Sequence, residues 1–200
     1  MLSKYNTTKA GYFYRILALP VVLFFIAAFT IKTKAGFEKI MSPANKITVV
    51  IDAGHGGSDA GATGLDGSHE KDINLAFVKR IKELNQSPNI KLVFTRETDI
   101  YQSPQEKAAI AKKIGADLFI SIHASSEPVS TATKNGMEIF VSKDEHINSK
   151  ASKLFASSVI AHFKNNYGLA VPSLPMQRKI AVYVLQANEC PSILIETGYV

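Results

Sequence analysis

The chain has 200 residues, a length typical of one domain with a short additional segment. Its apolar content of 46% and charged content of 20% are ordinary for a globular protein and exclude a wholly disordered chain. The formal net charge of +6 favours anionic surroundings, such as phospholipid headgroups, wall polymers or nucleic acid, without selecting one of them. The only cysteine, Cys190, excludes an intramolecular disulfide and a zinc cluster built from cysteines.

An uncharged apolar run, ILALPVVLFFIAAFTI at residues 16–31, dominates the N-terminal region. The run is shorter than the ~20 residues that a membrane-spanning helix needs, although the aromatic residues 12–14 extend it. A basic leader followed by an apolar run also fits a secretory signal, so a membrane anchor and a cleaved signal both stay open. We expect an apolar N-terminal helix within residues 1–31 and a polar linker at residues 32–45.

Beyond residue 46, predicted strands alternate with predicted helices. A β-branched apolar run predicts the first strand, and a glycine-rich loop follows it at residues 52–68. Ser103, Pro104 and Glu106 form the capping-box pattern that marks the start of a helix. In chain order the predicted elements are a strand at 47–51, a helix at 70–84, a strand at 90–94, a helix after residue 103, strands at 117–122 and 136–141, a helix at 148–164, and strands at 180–185 and 192–195. This alternation predicts an α/β fold with a mostly parallel sheet flanked by helices on both faces.

Four side chains able to bind metal or transfer protons fall at one predicted edge of this sheet. His55 follows the first strand, His123 follows the third, Glu196 ends the last, and Glu70 opens the first helix. Open α/β sheets bind ligands outside the carboxyl ends of their strands, and three such ligands plus water make a catalytic zinc site. These residue types alone do not decide whether the four side chains form a metal site, because a single histidine is more often a surface or packed residue than a ligand. The glycine-rich loop could alternatively be interpreted as a phosphate-binding loop, but the G-x-G-x-x-G spacing and the Lys-Ser/Thr ending of such loops are missing.

Six short motifs occur in order between residues 46 and 200. They are IDAGHGGSDAGA at 51–62, GSHEK at 67–71, TRETD at 95–99, ADLFISIHA at 116–124, GME at 136–138 and ETGY at 196–199. In this order and spacing, the motifs resemble the zinc-dependent N-acetylmuramoyl-L-alanine amidases of bacterial cell walls. Together they are far more specific than a lone glycine-rich loop, and they identify residues 46–200 as the amidase catalytic domain.

The resemblance implies zinc ligands at His55, Glu70 and His123, with Glu196 as the catalytic carboxylate. It further implies that a zinc-activated water hydrolyses the amide between the lactyl group of N-acetylmuramic acid and L-alanine in peptidoglycan. Because this substrate lies outside the cytoplasmic membrane, we expect the domain to face the periplasm or the cell exterior, with residues 16–31 as the membrane contact. The sequence names no activator protein.

Two further acidic residues are candidates near the site. Asp52 is expected to support a ligand or to cap the first strand, and Glu138 to line the cleft or its rim. The chain also departs from the family pattern: Pro104 and Lys107 stand where members often carry Leu and Arg, which bears on substrate fit. The family usually continues through a further helix, whereas this sequence ends four residues after Glu196, so we expect the domain to lack that helix.

Two alternatives to the amidase function remain from the sequence. One is a non-catalytic wall-binding or regulatory module of the same fold, and the other is a zinc peptidase acting on a different amide. Nucleic-acid binding is not expected, because no basic stripe is interleaved with aromatic residues.

Overall fold

The structure, a computed structural model, describes residues 46–125 and 136–200. The N-terminal helix and linker expected in residues 1–45 lie outside the described residues. The described elements are, in chain order, β1 (Ile47–Ala53), α1 (Glu70–Leu84), β2 (Ile90–Phe94), α2 (Pro104–Ile114), β3 (Leu118–Ser125), β4 (Glu138–Val141), α3 (Ser149–Tyr167), α4 (Tyr183–Gln186) and β5 (Ser192–Tyr199). None of the helices in these two ranges combines the length and apolar character needed to cross a membrane.

The strands form one sheet in the order β2–β1–β3–β5–β4. Neighbouring strands from β2 to β5 run parallel, and β4 pairs antiparallel with β5. The mostly parallel sheet predicted from the sequence is therefore confirmed. Since β1, β3 and β5 are parallel and adjacent, their carboxyl ends meet at one edge, where His123 is the register partner of Glu196.

Helices cover both faces of the sheet, as the alternation of elements predicts. Successive residues of a strand point to opposite faces, so Val49 and Ile51 face one layer of helices and Val50 faces the other. Helices α1 and α3 cover the first face through Phe77, Val78, Ile81, Phe155, Val159 and Phe163. Helices α2 and α4 cover the second face through Ala111, Val184 and Leu185.

The strand predicted at residues 180–185 is wrong. The chain instead forms the short helix α4, in which Ala187 N–H donates to the carbonyl oxygen of Tyr183 at 2.8 Å. A short apolar run does not by itself distinguish a buried strand from a buried helical turn. Here Val184 and Leu185 are buried against the sheet while Tyr183 is 47% exposed, which is the one-sided burial of a helix rather than of a central strand.

Candidate metal centre and active site

Three of the predicted residues converge at the carboxyl edge of the sheet. One donor atom each from His55, Glu70 and His123 lies within 4.8 Å of the other two. Glu70 stands between the imidazoles: its Oε2 is 3.2 Å from Nε2 of His55, and its Oε1 is 2.9 Å from Nδ1 of His123. Two imidazoles and a carboxylate are the donor set of many catalytic zinc sites, so the residues present fit a zinc ion.

Glycines allow these three side chains to approach one another. A Cβ atom on Gly54 would lie 2.4 Å from the imidazole of His123, and one on Gly61 would lie 2.6 Å from Oε2 of Glu70. Any larger residue at either position would therefore displace a candidate ligand. His55 itself has a φ of 59°, in the left-handed region that non-glycine residues seldom adopt, and such outliers are concentrated at functional sites.

Hydrogen bonds orient the candidate ligands. Asp59 Oδ2 is 2.8 Å from Nδ1 of His55, which leaves the Nε2 atom of that ring facing Glu70. The backbone N–H groups of Ala62 and Ala124 donate to the two carboxylate oxygens of Glu70 at 2.9 and 3.1 Å. A carboxylate on the outer nitrogen of a ligating imidazole is a recurrent device of metal sites, because it fixes the tautomer and raises the basicity of the ligand. Asp59 was not predicted, although it lies within the first motif.

The protonation equilibria of the cluster reflect these contacts. Burial opposes ionisation of Glu70, but hydrogen bonds from His123 and His55 outweigh it and hold the pKa of the carboxyl well below its usual range. Burial likewise opposes protonation of His55, yet Glu70 and Asp59 outweigh it and raise the pKa of the imidazole. Glu70 is therefore an anion at neutral pH, which is the form that binds a cation.

Asp52 lies beneath the cluster at the end of β1 and is buried. Its carboxylate accepts hydrogen bonds from Thr95 Oγ1 at 2.8 Å and Ser121 Oγ at 2.7 Å, and it pairs with Lys107 Nζ at 3.0 Å. Burial alone would raise the pKa of Asp52, but Lys107 and the two hydroxyl groups lower it below its usual range. Asp52 thus joins β1, β3 and α2 below the site.

A buried arginine holds the backbone that leads into His55. Arg96, which is 2% exposed, donates from Nε to the carbonyl oxygen of Ala53 at 3.1 Å and from Nη2 to that of Gly54 at 2.8 Å. Lys107 Nζ donates to the same Ala53 oxygen at 2.9 Å. Two cations therefore fix the carbonyl groups at the start of the glycine-rich loop.

Glu196 is the fourth predicted residue at this edge, and it is 3% exposed. Its Oε1 is paired with the guanidinium of Arg178, whereas within the described residues its buried Oε2 has no hydrogen-bond partner. Burial raises the pKa of Glu196, against the opposing charges of His123 and Arg178. Glu138, on β4, is its register partner across the antiparallel pair and is half-buried.

A cleft of about 570 Å³ opens over the cluster. His55, Glu70 and His123 line it together with Glu196, so the candidate ligands and this carboxylate border one space. Its further walls come from α2 and from the segment around α4, including Tyr101, Pro104, Lys107, Arg178, Val182 and Tyr183. The cleft is partly open to solvent, so it can admit a substrate to the cluster.

The family whose profile is described as N-acetylmuramoyl-L-alanine amidase matches residues 49–200. The chain belongs to this family. Among curated relatives, an uncharacterized protein of Bacillus subtilis, YqiI, is 31% identical over 168 residues, which cover 84% of the chain and 77% of YqiI. The amidase LytC of B. subtilis is 31% identical over 163 residues, which cover 82% of the chain but only 31% of LytC. The crystal structure of an N-acetylmuramoyl-L-alanine amidase from Clostridium difficile 630 superposes with a TM-score of 0.67 at 30% identity, over 78% of this chain and 81% of that one.

This amidase-family chain thus brings His55, Glu70, His123 and Glu196 to one cleft, as their motifs predict. Asp52 also lines the cleft, but its side-chain partners are Thr95, Ser121 and Lys107 rather than the three candidate ligands. The sequence did not single out two groups at the site, Asp59 on the ring of His55 and Arg178 on Glu196. It assigned Arg96 to the loop after the second strand, where its Nη1 donates to the carbonyl oxygen of Thr98, but not to the carbonyl groups of Ala53 and Gly54. Asp59 and Arg96 lie within the motifs at 51–62 and 95–99, and this membership is the signal that could have identified them. Arg178 lies outside all six motifs.

Proposed function

We propose that this chain is an N-acetylmuramoyl-L-alanine amidase, hydrolysing the amide between the lactyl group of N-acetylmuramic acid and L-alanine in peptidoglycan. The observation that carries the proposal is the cluster of His55, Glu70 and His123 beside a buried carboxylate, Glu196, with one unpartnered oxygen. Membership of the amidase family supports cleavage of this amide over the alternative of a zinc peptidase that cuts a different amide.

We propose Zn²⁺ as the cofactor, held by His55, Glu70 and His123. The support is the donor set, the separation of its atoms, and the glycines at positions 54 and 61, which leave room for the side chains of His123 and Glu70. When bound, the ion supplies Lewis acidity, polarising the scissile carbonyl group and making water acidic enough to react near neutral pH. Asp59 keeps the Nε2 atom of His55 directed into the cluster, so that this nitrogen is available as a donor.

Glu196 performs the proton transfers in this proposal. Its Oε2 accepts the proton of the attacking water and then delivers it to the nitrogen of the leaving L-alanine, as a general base followed by a general acid. Burial raises the pKa of Glu196, which brings it closer to the neutral range where one carboxyl group serves both steps well.

We further propose that residues 46–200 act outside the cytoplasmic membrane, where peptidoglycan lies. Residues 16–31 would anchor or export the chain, since they form its long uncharged apolar run. A topology reporter fused after Val200 tests this location. The reporter should be active on the outer side of the membrane, and activity confined to the cytoplasm would contradict the proposal.

Glu196→Gln tests the activity most directly. Purified muropeptides are incubated with zinc-loaded protein, and released stem peptides are followed by mass spectrometry. Because glutamine keeps the size of the side chain but cannot take a proton, hydrolysis should fall by roughly 10²–10⁴-fold. Zinc content and thermal stability should stay near wild type. Glu189→Gln is the matched control, because this exposed glutamate precedes the amino end of β5 and does not line the cleft, and it should leave the rate unchanged.

Three outcomes would contradict the proposal. A wild-type protein that binds zinc and releases no stem peptide would be a wall-binding or regulatory module. A Glu196→Gln variant that hydrolyses at the wild-type rate would remove Glu196 from the mechanism. Full zinc occupancy after His55→Ala or His123→Ala would show that the ligand assignment is wrong.

A further inference from the structure

The segment at residues 176–178 is fixed along the outer edge of β4. Met176 N–H donates to the carbonyl oxygen of Ile139 at 2.8 Å, and its own carbonyl oxygen accepts from Val141 N–H at 2.9 Å. The side-chain amide of Gln177 donates to the carbonyl oxygen of Ser142 at 2.9 Å. These bonds hold the segment in register with the strand, so the residue that follows them has a defined position.

That next residue is Arg178, and two contacts fix its guanidinium. Its Cζ lies 4.7 Å from the ring centroid of Phe140, a residue of β4 that is 6% exposed. One guanidinium nitrogen, Nη2, donates to Oε1 of Glu196. The side chain of Arg178 is 43% exposed while that of Glu196 is 5% exposed, so a cation from the cleft wall reaches a buried anion. Planar stacking on an aromatic face and a rigid fork of hydrogen-bond donors are properties of arginine that lysine lacks.

The two oxygens of Glu196 are thereby made different. Oε1 is engaged by Arg178, and Oε2 has no hydrogen-bond partner within residues 46–125 and 136–200. The terminal torsion of a glutamate side chain is broad and nearly two-fold, so an unrestrained carboxylate samples many orientations. A contact to one oxygen selects one orientation and leaves Oε2 as the unpartnered oxygen of a side chain that lines the cleft.

We propose that Arg178 is a positioning residue for the proton-transfer carboxylate. By holding Oε1 of Glu196, it makes Oε2 the oxygen that exchanges the proton with water and with the leaving amine. The inference rests on the proposed amidase function, and Arg178 acts through Glu196 rather than on the substrate.

A double-mutant cycle tests the proposal, with Arg178→Met and Glu196→Gln made singly and together in the full chain. Arg178→Met should lower kcat by about 10–100-fold, because misplacing a catalytic group by about 1 Å can cost about 100-fold. KM should stay within about two-fold of wild type, and zinc content should not change. In the Glu196→Gln protein, the same Arg178→Met change should cause no further loss.

Two variants complete the design. Arg178→Lys keeps the charge without the planar fork and should recover part of the lost kcat. Lys179→Met removes the neighbouring exposed cation and should leave kcat and KM unchanged, which separates the contact from the overall charge of the segment.

The possible results are distinguishable. An equal loss from Arg178→Met in both backgrounds, or a rise in KM alone, would mean that Arg178 binds substrate, and it would overturn the inference. An unchanged kcat in Arg178→Met would overturn it as well. If Glu196→Gln alone retained the wild-type rate, the proposed role of Glu196 would fail, whatever Arg178→Met did.

Discussion

Replacing Lys107 with methionine would test the buried ion pair beneath the site. Methionine keeps most of the length and apolar stem of lysine but removes the ammonium group. The side chains of Lys107 and Asp52 are 6% and 2% exposed, so the variant would leave a carboxylate buried without its counter-charge. Removal of one partner from a buried pair costs roughly 3–5 kcal/mol of unfolding free energy.

Three remaining hydrogen bonds place this variant at the lower end of that range. Asp52 keeps its hydrogen bonds from Thr95 and Ser121, and the carbonyl oxygen of Ala53 keeps its bond from Arg96 when it loses Lys107. We therefore expect Lys107→Met to lower the unfolding free energy by about 3 kcal/mol at pH 7.

The loss should depend on pH. In the wild type, burial would raise the pKa of Asp52, but Lys107 and the hydroxyl groups lower it below its usual range. The ionised Asp52 therefore stabilises the folded state above the unfolded-state pKa of about 3.9, and this stabilisation is lost as the pH falls below that value. In the variant, burial is no longer opposed by Lys107, so the folded-state pKa should rise above the unfolded value. A carboxyl group whose folded-state pKa is raised stabilises the folded state at low pH, and this stabilisation is lost as the pH rises. The difference between the two proteins should therefore be larger at pH 7 than at pH 5.

Urea denaturation of the two proteins at both pH values measures this difference. Lys113→Met is the matched control, since Lys113 lies on the same helix and is exposed, and it should change stability by less than about 0.5 kcal/mol. A loss below about 1 kcal/mol at pH 7, or an equal loss at pH 5 and pH 7, would refute the reasoning about a buried charge.

Three further predictions concern single contacts. Asp59→Ala should weaken zinc binding by roughly 10–100-fold in a chelator competition, because His55 loses the group that orients its ring. An unchanged affinity would show that other groups hold the ring. Gly54→Ala should displace the imidazole of His123, since the added Cβ would lie 2.4 Å from it, and zinc bound per chain should fall; full stoichiometry would mean that the loop can move aside. Ser103→Ala should lower the unfolding free energy by about 1 kcal/mol in urea denaturation, because α2 loses its N-cap, and no loss would indicate that water replaces the hydroxyl group.

The parts of the fold that local patterns determine were predictable. The helix bounds at Glu70 and Leu84 agree with the structure, and the capping box of Ser103 and Glu106 is present. These features depend on residues three or four positions apart, which a sequence displays directly. The edge on which His55 and His123 meet was predictable for a different reason, because parallel strands bring their carboxyl ends together.

Features that depend on distant contacts were not predictable from pattern. The apolar run before Gln186 is a helix because its buried residues pack on one face of the sheet, and the same letters are typical of a strand. Lys107 was interpreted as a departure affecting substrate fit, whereas it forms a buried pair with Asp52, 55 positions earlier in the sequence. Arg178 occupies an irregular segment without periodicity, so its position depends on the pairing of Met176 with β4.

That pairing has a consequence for the solubility of the protein. An unpaired edge strand presents a row of free N–H and C=O groups, and it can template the addition of a strand from another chain. Met176 takes up two such groups on β4, at Ile139 and Val141, and so blocks part of this surface. The segment that carries Arg178 therefore also limits edge-to-edge self-association. A substitution such as Met176→Pro, which removes one of the two hydrogen bonds, should favour aggregation of folded chains.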